Sequence, residues 1–476
     1  MIDVLDASTL TADHAVDCDV CIIGSGAGGS VLAAGLAERG IKVVILEEGG
    51  HYQRKDFTLQ ESDAFPAMYQ ERGGRATADL SISVLQGRTV GGSTTVNWTT
   101  CFRTPPRILE NWRTKHGLEA LTESELAPHF EAVEARLSIT EWTTPNANNQ
   151  KLWDGCTKLG WSVGHLKRNQ KGCANSGYCG LGCPTNGKQA MHLTYLVDAH
   201  KRGAQVISRV RVDRLEENGD RIVAVHGRAM SALAGAPDGV AVVVRPKVVV
   251  SSAGALNGPL LFLRSGINPN GRVGHRTFLH PVVAVFSRFA ERIDGWYGAP
   301  QSVGSHQFVD RGPGKVGYFF EVPPIQPMLT ALSLNQFGAR MQELVPLFPH
   351  VGAVIALCVD GLLDGDDGGT VTARNDGRLH LDYPIRPALA EAFRDAHQTM
   401  ARIHLAAGAQ ESSSLHLEPV RMTSEADVAR LADAPYGAHE HAIFTAHQMG
   451  GCGMHADPSK GVVDPKHRVH GFANLF

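Results

Sequence analysis

Two stretches of this 476-residue chain carry residue types at spacings that could do chemistry. In the first, Gly24, Gly26 and Gly29 fall in the spacing G-x-G-x-x-G. A first glycine permits a sharp turn, a second lets a pyrophosphate approach the backbone, and a third lets a helix pack closely on a sheet. Glu47 follows at the end of the next apolar run, where a carboxylate can accept hydrogen bonds from a ribose diol. The expected ligand is a dinucleotide, and the glycines alone do not separate FAD from NAD. In the second stretch, Cys173, Cys179 and Cys183 stand as C-x5-C-x3-C-P in the glycine-rich loop 171–188. Thiolates are soft ligands, so the spacing suits an iron–sulfur cluster, or zinc with a fourth ligand. With no fourth cysteine nearby, a three-iron cluster (3Fe–4S) is expected over a four-iron one. The plain alternative is a structural loop with reduced thiols.

The elements around the glycines fit the dinucleotide reading. Val20 to Ile23 is a β-branched apolar run, read as a buried parallel strand. Val31 to Arg39 reads as a helix ending at Gly40, and Lys42 to Leu46 as the next strand. Gln205 to Val212 and Ile222 to His226 alternate like strands. Val242 to Val250 reads as a strand broken by Arg245-Pro246, leading into a Gly-Ala turn and another helix. Glu123 to Leu137, with Thr122 as N-cap, and Pro387 to Ala406 have helical spacing. The expected fold is α/β: a Rossmann-like doubly wound sheet with a discontinuous α+β substrate domain.

Composition narrows the function classes. A formal net charge of −3 leaves no nucleic-acid footprint. No uninterrupted apolar run reaches membrane-spanning length, so no transmembrane segment is expected. The acidic N-terminus lacks a basic region followed by an apolar one, and a cytoplasmic location is expected. The nine cysteines are odd in number and mostly scattered, which argues against a disulfide framework. Asp364, Asp366 and Asp367 do not match an EF-hand and read as an acidic hairpin turn.

A further loop, Gln86-Gly87-Arg88-Thr89-Val90-Gly91-Gly92-Ser93-Thr94-Thr95-Val96-Asn97-Trp98, can bring many backbone N–H groups close to a flat ligand. Its plain reading is a linker, but linkers seldom end in Val-Asn-Trp. This loop and the glycine turn together resemble the glucose–methanol–choline (GMC) family of FAD-dependent oxidoreductases. The resemblance implies that Arg88, Gly91, Gly92, Ser93, Thr94 and Asn97 lie along the flavin and its phosphates. Some members attach FAD through a histidine at the place of Val96, so non-covalent FAD is implied here. Val210 or Val212 would contact adenine through its backbone. His447, in the frame H-x-x-G-x-C-x-M, matches the segment of the family's active-site histidine, while His280 matches a family position and looks structural. The cysteine spacing resembles GMC-type sugar dehydrogenases carrying a three-iron cluster. The stretch Gly187-Lys188-Gln189 with Thr194 to Ala199 looks more like the long-chain alcohol oxidase branch.

The resemblance implies a cofactor domain from residues 1–105, 195–285 and 441–476, and a substrate domain from 106–194 and 286–440. It implies FAD-dependent oxidation of an alcohol or sugar to a carbonyl, with His447 as general base. Oxygen, a quinone or a cytochrome would take the electrons. An electron-transfer or redox-sensing protein centred on the cysteine loop, or an NAD-dependent Rossmann dehydrogenase, are the alternatives. In the family the last strand continues into an A-D-G-S segment and a helix carrying a second catalytic His or Asn. Asn474-Leu475-Phe476 stops short of both, so these residues alone are expected to bind FAD poorly and turn over slowly.

Overall fold

The computed structural model describes residues 2–231, 237–334 and 336–476. The run at Val20–Ile23 is the end of a longer strand, His14–Ile23, central in a seven-stranded sheet. On one side it pairs in parallel with Val43–Leu46, then Gln205–Ser208 and Val4–Asp6. On the other it pairs in parallel with Ala241–Ser251. The antiparallel strands Arg221–Ala229 and Val210–Asn218 complete the sheet.

Both faces of this sheet are covered, as a parallel sheet requires. Val20, Ile22, Val43 and Ile45 pack with Ala33 and Ala34 of the helix Ala27–Glu38. Their neighbours Cys21, Ile23, Val44 and Leu46 pack with Leu261 and Phe262 of the helix Gly254–Arg264. That two-sided wrapping is the doubly wound architecture expected from sequence. Two expectations need correction. Arg209 takes a left-handed conformation (φ 58°) and splits the expected strand 205–212 into two. Arg245-Pro246, by contrast, does not break its strand. Pro246 pairs opposite Cys18, and the antiparallel ladder on the other side ends at Val244, so the missing N–H removes no bond there.

A second sheet is antiparallel, in the order Gly317–Glu321, Val351–Val359, Val282–Arg288, Glu411–Ser414 and Arg421–Met422. The helix Pro387–Ala406 covers one face, burying Phe393, Ala396 and Met400 against Val283, Val285 and Val354. The other face, with Val282, Ala284, Phe319 and Ile355, turns toward Trp98 and Phe444. Phe444–Thr445 ties the sheets' neighbourhoods together: it pairs with Val282 and lies parallel to Ser83–Val84. Thr122 caps its helix, accepting from the Glu125 amide. Asp366 pairs with Arg386, ahead of the hairpin of Thr370–Ala373 with Leu379–Asp382.

Candidate active site

Each glycine of the turn has a separate structural reason, or none. Gly24 sits at φ +101°, and a Cβ there would lie 2.4 Å from the Ser252 carbonyl oxygen. A Cβ on Gly29 would lie 2.1 Å from the Gly24 oxygen. Gly26 differs, because its nearest neighbour would be Gly92 Cα at 3.9 Å, ordinary contact. No atom of the described residues crowds position 26, and the missing side chain leaves the backbone open to the cleft, as close approach of a pyrophosphate needs. Gly92 touches the same spot from the other loop, where its Cβ would meet Gly26 Cα at 2.7 Å. Ser25 Oγ accepts from the Gly91 amide at 3.0 Å and locks the two glycine loops together.

Between them lies a cleft of about 630 Å³ lined by Gly24, Gly26, Glu47, Arg88, Gly92, Ser93, Thr94 and Val210. Its charge is predominantly cationic: Arg72, Arg75, Arg88, Arg211, Arg264 and Arg378 line it against Glu47, Glu48 and Glu71. Burial, then the nearby Arg211, holds the Arg264 guanidinium below its ordinary pKa. Such crowding favours a bound anion. Among the described residues, buried Arg88 Nε and Asn97 Oδ1 have no hydrogen-bond partner. The unsatisfied Arg88 beside an open, cationic cleft, with the Gly26 backbone bare toward it, fits a dinucleotide.

Glu47 is buried and already occupied. It accepts from Ser25 N at 3.0 Å, Ser25 Oγ at 2.6 Å and Gly49 N at 2.8 Å, while burial raises its pKa. Both Ser25 bonds fall on Oε2, so the remaining accepting capacity is on Oε1, and Glu48 lines the cleft beside it. Val210 donates its amide to the Glu47 carbonyl at 2.8 Å, so that N–H is spent on seating the strand.

His447 lies at the far end of the same scaffold. Leu85 N donates to Thr445 O at 2.8 Å and Gln448 Nε2 to Leu85 O at 3.4 Å, so the histidine segment is fastened just ahead of Gln86 and Arg88. The His447 ring is solvent-accessible, and partial desolvation by the protein around it lowers its pKa. Its Nδ1 lies 3.3 Å from His280 Nδ1, and its Nε2 has no partner among the described residues. The two histidines are set side by side by a short antiparallel ladder, Phe278 to Met449 and Leu279 to Gln448, with His280 N donating to His447 O. Burial, then His447, pushes the His280 pKa down to about 3, so its ring is neutral near pH 7. Sequence reading set His280 aside as structural. Its only signal there was a matching position, and the pairing became visible once the ladder was formed.

Matches to GMC oxidoreductase family models cover residues 65–282 and 366–476, and an FAD-binding domain model matches residues 17–55. An uncharacterized GMC-type oxidoreductase of Mycobacterium tuberculosis is 31% identical over 96% of this chain and 71% of its own length. The chain belongs to the GMC oxidoreductase family. It is accordingly a flavoprotein oxidoreductase with an FAD-binding domain. Two long-chain-alcohol oxidases of Arabidopsis thaliana are 29% identical over 95% and 97% of this chain, which spans 62% and 64% of their lengths. Among solved structures, pyridoxine 4-oxidase from Mesorbium loti superposes with a TM-score of 0.69 at 19% identity, covering 96% of this chain and 93% of that one. A formate oxidase variant of Aspergillus oryzae gives 0.73 at 15% identity, covering 98% and 93%. At such identities these two speak for the fold alone.

In this GMC chain the cysteine loop does not support the iron–sulfur expectation, nor zinc. Among the described residues, no three His, Cys, Asp or Glu side chains gather where they could hold one metal ion. Cys173, Cys179 and Cys183 share a cavity of only about 10 Å³, too small for a multi-iron cluster. The sulfurs are engaged locally: Cys173 Sγ accepts from Asn175 N, Cys183 Sγ from Lys188 N, and Cys179 Sγ lies 3.8 Å from Arg168 Nη2. What the loop does hold is Lys188, fully buried, whose Nζ donates to the carbonyls of Thr95, Asn97 and Cys179 at 2.6–3.0 Å. Lys188 thereby clamps the cysteine loop to the loop from Gly91 to Asn97.

The contrast between glycines is testable. Gly26→Ala is expected to leave the melting temperature of cofactor-free protein within a degree or so, because nothing in the chain meets the methyl group, yet to weaken FAD retention about tenfold or more. Gly29→Ala is expected to destabilise the fold by about 2–3 kcal/mol through overpacking. Thermal melts and flavin fluorescence on ultrafiltration read both. Equal losses of stability in the two variants would contradict the assignment.

Proposed function

We propose that this protein oxidises an alcohol carrying an apolar chain to the corresponding carbonyl, with FAD held non-covalently across the cleft. The observation that carries the proposal is the fastening of the His447 segment to Leu85, immediately before the loop that lines the cleft. Cofactor cradle and imidazole pair are thus one rigid neighbourhood. Gly26 and Gly92 would receive the pyrophosphate, Glu47 with Glu48 the ribose, and Ser93 to Asn97 the flavin. FAD, once bound, supplies the acceptor for the hydride leaving the carbinol carbon.

The chain's own residues handle the proton. His447 Nε2 takes it from the substrate hydroxyl. For Nε2 to accept, the neutral ring must carry its proton on Nδ1, donated to His280 Nδ1. His280 is therefore a positioning residue: it selects the tautomer and steadies the imidazolium that forms. Its own low basicity keeps it from competing for the proton.

An apolar chamber of about 480 Å³ opens beside this neighbourhood, bounded by Leu85, Trp98, Ala284, Ile355 and Phe444. Such a lining suits an alkyl chain, and the relatives named long-chain-alcohol oxidases point the same way. Their name also favours oxygen as acceptor. Residues 1–105, 195–285 and 441–476 would form the cofactor-binding part, and the rest the substrate part. Anaerobic absorption spectra of FAD-loaded protein, recorded before and after primary alcohols from two to sixteen carbons, test the reading. Flavin bleaching that strengthens with chain length is expected. Bleaching by sugars alone, or by none of these, would refute it. Ala284→Phe narrows the chamber and is expected to raise KM for a ten-carbon alcohol about tenfold relative to ethanol.

A further inference from the structure

Loop 171–188 holds three thiols that the alcohol chemistry leaves unused. Cys173, Cys179 and Cys183 are half-buried, free, and border one cavity of about 10 Å³, room for a single water-sized molecule. Two buried cations, Arg168 and Lys188, border it with them. Arg168 Nη2 donates to Cys179 Sγ at 3.8 Å, while its Nε and Nη1 have no hydrogen-bond partner among the described residues. Lys188 Nζ donates to three backbone carbonyls. The carboxyl that acts on Arg168, Glu321, is pushed by burial up to about 8, so near pH 7 it is protonated and supplies no counter-charge. Buried cations facing thiols favour the thiolate, which is the form that reacts. Cys183 has the most donors at its sulfur: it accepts from Lys188 N at 3.4 Å and lies 3.6 Å from Thr185 Oγ1. Hydrogen peroxide is close to water in size, and unpaired guanidinium N–H groups stabilise the oxygen that leaves when it reacts.

We propose that Cys183 and Cys179 are a site of oxidative modification, where hydrogen peroxide joins them in a disulfide and the link loosens the loop that the proposed function lays along FAD. The Cys183 thiolate attacks one peroxide oxygen. An S–O bond forms, the O–O bond breaks, and hydroxide leaves and is protonated to water, giving a sulfenic acid. The Cys179 sulfur then attacks the Cys183 sulfur. The S–S bond forms, the S–O bond breaks, and the departing hydroxyl carries off the Cys179 proton as a second water. Two thiols lose two electrons, and the peroxide is reduced to two waters. The link is felt beyond its own loop because Cys179 is tied on the backbone side. Lys188 Nζ holds the Cys179 carbonyl at 2.7 Å together with those of Thr95 and Asn97. Tyr69 Oη donates to Gly180 O at 2.7 Å, and a Cβ on Gly180 would lie 2.9 Å from Trp98 Nε1, so the two loops meet without slack. Bringing free sulfurs to a bonded separation of about 2.05 Å shifts residues 179–183, and with them Asn97 and Trp98. This effect rests on FAD lying along residues 93–97, whereas the thiol step does not.

The test treats the full, FAD-loaded chain with hydrogen peroxide, alkylates the remaining thiols in denaturant and digests with trypsin. The peptide 172–188 carries all three cysteines between Lys171 and Lys188. In treated wild type it is expected two hydrogens lighter than the reduced peptide, with Cys173 its one alkylated cysteine. FAD release should become about fivefold faster, the low end of ordinary coupling between sites. Dithiothreitol should reverse both changes. Cys173→Ser should behave like wild type. Cys183→Ser should form no link and release FAD at one rate with or without peroxide. Should that variant fail to fold, Cys179→Ala decides instead: peroxide should leave a sulfenic acid on Cys183, trapped by dimedone, with no link. No mass change in wild type, or a link that includes Cys173, would overturn the site. A link that forms and leaves FAD release unchanged would overturn its effect on the neighbouring loop. The mass shift is read without flavin, so a chain that holds no FAD would sink the cofactor reading alone.

Discussion

Replacing His447 with alanine is expected to slow reduction of bound flavin by alcohol about 10²–10⁴-fold, the range that loss of a positioned general base typically costs. Flavin retention should be unchanged, since His447 does not line the dinucleotide cleft. Partial desolvation holds the His447 pKa below its ordinary value, so the acidic limb of the wild-type rate profile should lie below pH 6.5. That limb should vanish in the alanine variant. His280→Ala removes only the group aligned at 3.3 Å from Nδ1. It should cost less, about tenfold, and shift the limb rather than abolish it. Stopped-flow reduction under anaerobic conditions reads all of this. If His447→Ala reduced its flavin at the wild-type rate, His447 would have no part in the chemistry.

The difference between these two histidines shows where sequence reading reaches its limit. The strand, turn, helix, strand and acid from His14 to Glu47 were legible because each signal is local and its neighbours are within a few residues. The Gly91–Gly92 loop was legible for the same reason, and the structure places Gly92, Ser93 and Thr94 along a cleft. What could not be read are features made by distant segments meeting. His280 becomes significant because a two-residue ladder places it beside His447, 167 positions away. Lys188 looks like a surface residue until three carbonyls converge on it. Arg264 and Arg211 enter the cleft only when their helix and strand come together under it. The three cysteines failed in the opposite direction. Their spacing was suggestive, but where the sulfurs point depends on the loop's contacts with Arg168, Asn175 and Lys188.

The other large effect is loss of stability in mild acid. Besides His280 and His416, which are also depressed, four buried histidines hold low pKa values, each chiefly through burial: about 3 for His192, His404 and His441, and well below normal for His397. The charged groups acting on them are cationic or other histidines, namely Lys188 and His51, Lys151, His416, and His441 with His416. A group with a lowered folded pKa binds its proton more readily when unfolded. The stability it lends is complete above about 6.5 and decays as pH falls toward 3, by about 1.4 kcal/mol per unit for each histidine. Glu321, raised by burial to about 8, and Glu47, also raised, act oppositely where pH lies between the usual carboxylate value and neutrality. The histidines outnumber them, leaving a net loss of stability as pH falls below about 6.5. Against a typical total of about 5–15 kcal/mol, the protein should melt several degrees lower at pH 5.0 than at 7.5. His441 offers the decisive variant. Its ring sits among Phe393, His397, His416 and Tyr436 with centroids 5.1–5.5 Å away, and neither ring nitrogen makes a well-formed hydrogen bond. His441→Phe therefore removes a proton site without removing a bond. It should melt near the wild-type temperature at pH 7.5 and above it at pH 5.0. A melting temperature flat from pH 7.5 to 5.0 in the wild type would show that these rings titrate normally, and that the histidine cluster is looser than the packing around it implies.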